Sequence, residues 1–157
     1  LFELGSKQIM FIYSVVSDSI RRKLAGLKDA YAANNLFFRE KYAVRWPAFN
    51  MNSCTDFIKD VRRQLSFDAI ICMDDAFAVG ALKYAQAAGI SVPDHLRIVG
   101  YNDSILSRCT TPELSTVDNH TQQLCEGVVE MLMKCFAGEK NQEHYVVPGT
   151  LIFRGTT

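Results

Sequence analysis

Two polar couplets stand directly behind apolar runs, and these are the places where the sequence could do chemistry. Asp74-Asp75 follows the run 68–73, and Asn102-Asp103 follows the run 96–101. A carboxylate at Asp75 can cap the next helix, whose first turn carries unpaired N–H groups and a partial positive charge. Asp74 is then left to accept hydrogen bonds from ligand hydroxyls or amines. The same pair offers hard oxygen ligands for Mg²⁺. A phosphoryl-transfer site needs more parts, and the chain has neither a G-x-x-x-x-G-K-[ST] loop nor an Asp in a D-x-D context. Asn102-Asp103 reads as a turn, for which both residue types are suited, or as a second polar tip beside the first. Arg21-Arg22-Lys23 sets three cations at the start of a helix, against the dipole preference for acids. It reads as a solvated face or as charges held by something opposite.

Other chemistries lack their components. His95, His120 and His144 form no H-E-x-x-H or i, i+4 pair, so no metal is expected. There is no G-x-S-x-G elbow and no Cys–His arrangement for nucleophilic catalysis. The expectation is a non-enzyme without a cofactor. Five cysteines, with no C-x-x-C pair, indicate neither a disulfide framework nor a zinc site and suit a reducing, cytoplasmic setting. Cys72, inside an apolar run, reads as a buried hydrophobe.

A chain of 157 residues is one domain by length. Seventeen basic residues balance seventeen acidic ones, so the overall field draws the chain to neither a phosphate backbone nor an anionic membrane. The apolar runs are far shorter than the ~20 residues a membrane span needs. The chain opens Leu-Phe-Glu-Leu-Gly, without Met and with an acid where a signal peptide is basic, which reads as a cut end.

The elements that must position the couplets alternate between strand and helix patterns. Residues 1–4 read as the last turn of a helix closed by Gly5, and 8–14 as a buried strand. A helix capped by Ser17 or Asp18 carries Ile20, Leu24, Leu27 and Tyr31 on one face. A short strand at 41–45 and a loop at 46–52 precede a helix capped by Ser53, with Phe57, Ile58, Val61 and Leu65 inward. Strand 68–73, helix 75–88 ending at Gly89, and strand 96–101 follow, then a long irregular segment at 102–115. Helix 120–136, with Leu124, Val128, Leu132, Cys135 and Phe136 inward, leads to two late strands at 145–147 and 151–153. Such units give right-handed crossovers and a parallel sheet, with ligands bound outside the carboxyl ends of its strands. The rule selects residues 14–18, Asp74-Asp75 and Asn102-Asp103.

Four stretches in order carry a resemblance: Asp68-Ala-Ile-Ile-Cys-Met-Asp-Asp-Ala-Phe-Ala-Val-Gly-Ala-Leu, Gly89-Ile-Ser-Val-Pro-Asp-His-Leu-Arg-Ile-Val-Gly-Tyr-Asn-Asp, Thr111-Pro-Glu-Leu-Ser-Thr-Val and Leu151-Ile-Phe-Arg-Gly-Thr-Thr. Together they closely resemble the lactose-repressor/galactose-repressor (LacI/GalR) family of bacterial transcription regulators. The resemblance implies an α/β fold, a three-layer sandwich with a mainly parallel sheet. It is a Rossmann-like subdomain of the periplasmic-binding-protein-like type I kind. It further implies that residues 1–157 are part of an effector-binding domain, mostly its C-terminal subdomain. Residues 119–143 would belong to the N-terminal subdomain of an intact relative, and the DNA-binding headpiece would be absent. The helix at 120–136 would then lack its packing partner, exposing Leu124, Val128 or Leu132 or burying them against another copy.

Carried over position by position, the family's effector contacts fall on Lys23, where relatives usually have Arg, on Asp74, where they often have Asn, and on Asn102, where they often have Asp. One cation, one carboxylate and one amide suit a polyhydroxylated effector such as a carbohydrate, because each can bond adjacent hydroxyls. Phe49 falls where relatives stack an aromatic on the ligand, with Trp46 as its rival; Asp75, Asp103 and Arg22 flank the set. The resemblance also implies a homodimer that meets operator DNA only through the missing headpiece, with no membrane contact. Phe77, Val79, Tyr84, Arg108 and Cys109 are its candidate dimer residues. The alternatives are a solute-binding protein of a sugar uptake system and, from another class, a Mg-dependent phosphotransferase with an acidic site.

Overall fold

A computed structural model describes residues 1–46, 50, 53–139 and 145–157. Strand β1 (Ile9–Tyr13) is apolar throughout because it is covered on both faces, as a central parallel strand must be. Helix α1 (Asp18–Ala33) starts at Ser17, whose side chain accepts the Ile20 N–H at 3.2 Å, and it buries Ile20, Leu27 and Tyr31. The Tyr31 hydroxyl accepts from the Ile9 N–H at 2.8 Å and donates to the Lys7 carbonyl at 3.1 Å, fastening α1 to the entry of β1.

The strand expected at 41–45 is shorter. A 3-10 turn, Glu40–Tyr42, leads into β2 (Ala43–Arg45), and the Tyr42 hydroxyl is drawn away to the Ser66 carbonyl. Helix α2 (Cys54–Gln64) buries Cys54 and Ile58, with Phe57 and Val61 partly covered. Strand β3 (Ala69–Cys72), helix α3 (Asp75–Ala87) and strand β4 (Arg97–Val99) complete a four-stranded parallel sheet in the order β2-β1-β3-β4. Gly89, at φ +66°, ends α3 as a left-handed residue. Register places Phe11 beside Ile71 and Ile71 beside Val99 on one face. Right-handed crossovers put α1 on that face and α2 with α3 on the other, giving three layers.

Three expectations need correction. The segment 102–115 is not wholly irregular, since a 3-10 turn forms at Ile105–Arg108. Only one late strand exists among the described residues: β6 (Thr150–Ile152) pairs antiparallel with β5 (Thr116–Asp118), and 145–147 is not a strand. Helix α4 (Thr121–Phe136) does not turn its stripe inward. Val128, Leu132, Cys135 and Phe136 are exposed, and Gly127 is its one buried residue, lying against the Tyr145 ring. The amphipathic pattern is real; no described element covers the apolar side.

Candidate functional site

The site grows from the carboxyl ends of β1, β3 and β4. Lys23, on the second turn of α1, reaches across the sheet edge and donates from Nζ to the Met73 carbonyl at 3.2 Å. The same ammonium sits 3.2 Å from the centroid of the Tyr101 ring. It therefore bridges the tip of β3 to the tip of β4, in a seat made of a carbonyl dipole and a π face. Burial pushes the Lys23 ammonium below the ordinary lysine range, and the charge of Asp74 opposes that shift. Lys23 and Asp74 thus share one electrostatic neighbourhood.

The two carboxylates of the first couplet take roles opposite to the simple capping assignment. Asp74, in extended backbone, is the cap of α3: its Oδ1 accepts the Phe77 N–H at 3.0 Å. Asp75 is 1% exposed and belongs to the interior. Its Oδ2 accepts from the Ser104 N–H and hydroxyl at 2.7 and 2.8 Å, and its Oδ1 from the Thr116 hydroxyl at 2.6 Å. Gly100 has no Cβ for a steric reason, because one there would collide with Asp75 Oδ1.

Asn102 and Asp103 both have left-handed backbone, at φ +101° and +44°. Asn102 donates its N–H to the Val117 carbonyl at 2.8 Å, and its Oδ1 accepts from Asn119 Nδ2 at 2.7 Å. Asp103 turns back into the fold. Its carboxylate meets Arg154 at 2.6 Å, Ser107 at 2.9 Å and Arg108 at 3.1 Å, and the side chains of Asp103 and Arg154 are only 10% and 12% exposed. Burial alone would raise this carboxyl; the donors of Arg154, Ser107 and Arg108 outweigh it and hold Asp103 below the usual carboxylate range.

Lys23, Asp74 and Asn102 therefore share one end of the sheet, while the flanking candidates go elsewhere. Asp75 and Asp103 are consumed by internal bonds. Arg22 is exposed and paired with Asp18 at 2.8 Å. Trp46, the rival stacking aromatic, is 6% exposed, stacked on Phe57 at 4.5 Å and edge-on to Phe77, so it serves the core. Phe49 lies outside the described residues. Phe77 and Tyr84, expected at a dimer surface, are 3% and 4% exposed and packed in the chain's own core, leaving little face for a second chain. Val79 is partly buried against that core, and Arg108 and Cys109 are exposed.

Residues not singled out from the sequence also stand at these tips, the ring of Tyr101 and the amide of Asn119, while Arg154 holds Asp103 inside the fold. Tyr101 carried a signal, being the last residue of an apolar run directly before the couplet. An apolar trough of about 370 Å³ runs along the α1 side of the sheet from Leu1 and Phe2 to Lys23, Tyr101 and Leu151. A second hollow of about 490 Å³ between α2 and α3 lies away from the strand tips. Among the described residues no group of three or more His, Cys, Asp or Glu could hold a metal ion.

The periplasmic binding protein-like domain matches residues 1–157. The chain belongs to that family. An HTH-type transcriptional regulator of Lachnoclostridium phytofermentans is 32% identical over 158 residues, covering all of this chain and 47% of that protein. The crystal structure of the Escherichia coli transcriptional repressor AscG superposes with a TM-score of 0.87 at 24% identity, over 99% of this chain and 57% of that one. The transcriptional regulator CelR in complex with cellobiose superposes at 0.89 with 21% identity, over 99% and 48%. The chain spans about half the length of the relatives it matches. Within this family it is related to the LacI-type regulators, and the α/β sandwich expected from that resemblance is the observed fold. No helix among the described residues is long and apolar enough to cross a membrane.

Proposed function

We propose that this chain is the effector-binding portion of a transcription regulator and that it takes a small polyhydroxylated ligand at the strand tips. The observation that carries the reading is the convergence there of Lys23 from α1, Asp74 from the start of α3 and Asn102 from the loop after β4. An ammonium and an amide donate, a carboxylate and the amide oxygen accept, and together they match the alternating donors and acceptors of adjacent sugar hydroxyls. The apolar trough shares Lys23 with this set but is lined by no carboxylate or amide side chain. A cation seated on Tyr101 also places an aromatic face at the tips, and CelR, a structural neighbour, holds cellobiose.

In this reading the chain is not an enzyme and acts in the cytoplasm. Residues 1–157 make up mostly the C-terminal subdomain, 119–143 belong to the N-terminal subdomain of the intact protein, and a headpiece outside this chain meets operator DNA. The exposed stripe Val128, Leu132 and Phe136 supports the assignment of α4 to a larger body, because a face of that size left in water is unfavourable. A homodimer would use Arg108, Cys109 and the outer side of α3 around Val79. The ligand shifts DNA affinity only by its difference in affinity between two subdomain orientations.

The test is a thermal-shift screen of the full-length regulator against mono- and disaccharides, repeated with Asp74→Ala and Asn102→Ala. The best sugar is expected to stabilise wild type and to lose most of that effect in both variants. Equal stabilisation of all three proteins would overturn the site.

A further inference from the structure

We propose that Thr116 is the positioning residue of the effector loop: its buried hydroxyl ties the Asp75 carboxylate to the backbone of Asp103 and so fixes where Asn102 presents its amide. The inference rests on the reading of Asn102 as a ligand contact. Consecutive left-handed residues that are not glycine are disfavoured and persist only where their surroundings over-determine them. Asn and Asp tolerate the conformation better than other side chains, but tolerance does not select it.

What selects it is a chain of bonds running inward from the loop. The Asp103 N–H donates to Thr116 Oγ1 at 3.3 Å, and the Thr116 hydroxyl donates its one hydrogen bond to Asp75 Oδ1 at 2.6 Å. A hydroxyl donates once and accepts as well, and here both capacities are used. Thr116 is fully buried, so bulk water has no access to replace it. On the far side of the couplet, the other oxygen of Asp75 takes the N–H and hydroxyl of Ser104. One carboxylate thus fixes the two consecutive amides after Asn102, that of Asp103 through Thr116 and that of Ser104 directly. Thr116 also lies in β5, opposite Ile152 of β6, so the relay couples the loop to the two-stranded ribbon that leads into α4.

The experiment compares Thr116→Val, Thr116→Ser and Thr116→Ala in this chain without ligand. The readouts are hydrogen exchange at the Asp103 amide and the resonance of the Asn119 side-chain NH₂ that donates to Asn102. Amides of β1 report global stability. Thr116→Val is expected to speed exchange at Asp103 at least tenfold relative to β1 and to move the Asn119 signal, while Thr116→Ser keeps both near wild type. Should the Val variant not fold, Ser and Ala decide the matter, since they differ only in the hydroxyl. Indistinguishable Asp103 exchange and Asn119 signals in Ser and Ala, or unchanged ones in Val, would overturn the proposal. Because no sugar is present, a failed sugar screen leaves this result standing, and the reverse also holds.

Discussion

Replacing Arg154 by Met removes a guanidinium that makes several bonds in a nearly dry place. It donates to Asp103 Oδ1 at 2.6 Å, to the Leu114 carbonyl at 2.9 Å and to the Ser107 hydroxyl at 3.1 Å, and its Nε lies 3.6 Å from Glu113. Methionine keeps the apolar stem, so the loss is mainly electrostatic. Removing one partner of a buried pair costs about 3–5 kcal/mol because the other charge stays behind unpaired. Asp103 retains Ser107 and the exposed Arg108, which places the expected cost at the low end, about 3 kcal/mol. For a domain of this size that corresponds to a fall in Tm of roughly 6–12 °C. Urea unfolding of wild type, Arg154→Met, Asp103→Asn and the double variant measures it, and the double variant should cost clearly less than the sum of the singles.

The same pair sets an acid dependence. Asp103 is held below its ordinary value of 3.8, so the stability it contributes is present above that value and is lost as pH falls through the lower folded-state value. In Arg154→Met the acid-side loss should shrink. A cost below about 1 kcal/mol, the range of exposed pairs, or strictly additive single effects would show that this ion pair does not fasten the segment after β6 to the loop at Asp103.

Three further outcomes follow from other parts of the molecule. A Cβ on Gly80 would run into Cys54 Sγ and approach Cys54 Cβ to 2.8 Å. Gly80→Ala should therefore lose about 1–2 kcal/mol in denaturant titration despite the helix-propensity gain, with partial rescue by Cys54→Ala. Lys23 should titrate below 10.5 when followed by the NMR shift of its Cε, and Asp74→Asn, which keeps a capping side chain, should lower it further by removing the charge that opposes burial. An unchanged value would remove Asp74 from the neighbourhood of Lys23. With Ellman's reagent, Cys109, Cys125 and Cys135 should react in the native state, and Cys54 and Cys72 only on unfolding. Burial pushes the Cys54 thiol up to about 12 and Cys72 well above its ordinary value.

The sheet was legible from residue order because its strands are covered on both faces and read as unbroken apolar runs, as in 69–72 between two polar boundaries. The same runs, ending at Asp74 and Asn102, located the tips, since chain order and right-handed crossovers leave a parallel sheet few arrangements. Helix α1 was equally plain from its 3.6-residue spacing and the Ser17 cap. The division of labour within each couplet was not legible. Asp74 and Asp75 are identical in type and adjacent, and only three dimensions show that Ser104 and Thr116, 29 and 41 residues away, claim one carboxylate while the Phe77 N–H takes the other. The fate of Trp46 and Phe77 was hidden for the same reason: an aromatic in a loop and one on a helix look available until their packing against each other is seen. Residue order thus decided which segments form the sheet and where its polar ends lie, because periodicity is local. Which of those polar groups stay open at the strand tips and which are held inside the fold was decided by contacts between distant parts of the chain, which only the folded structure brings within hydrogen-bonding reach.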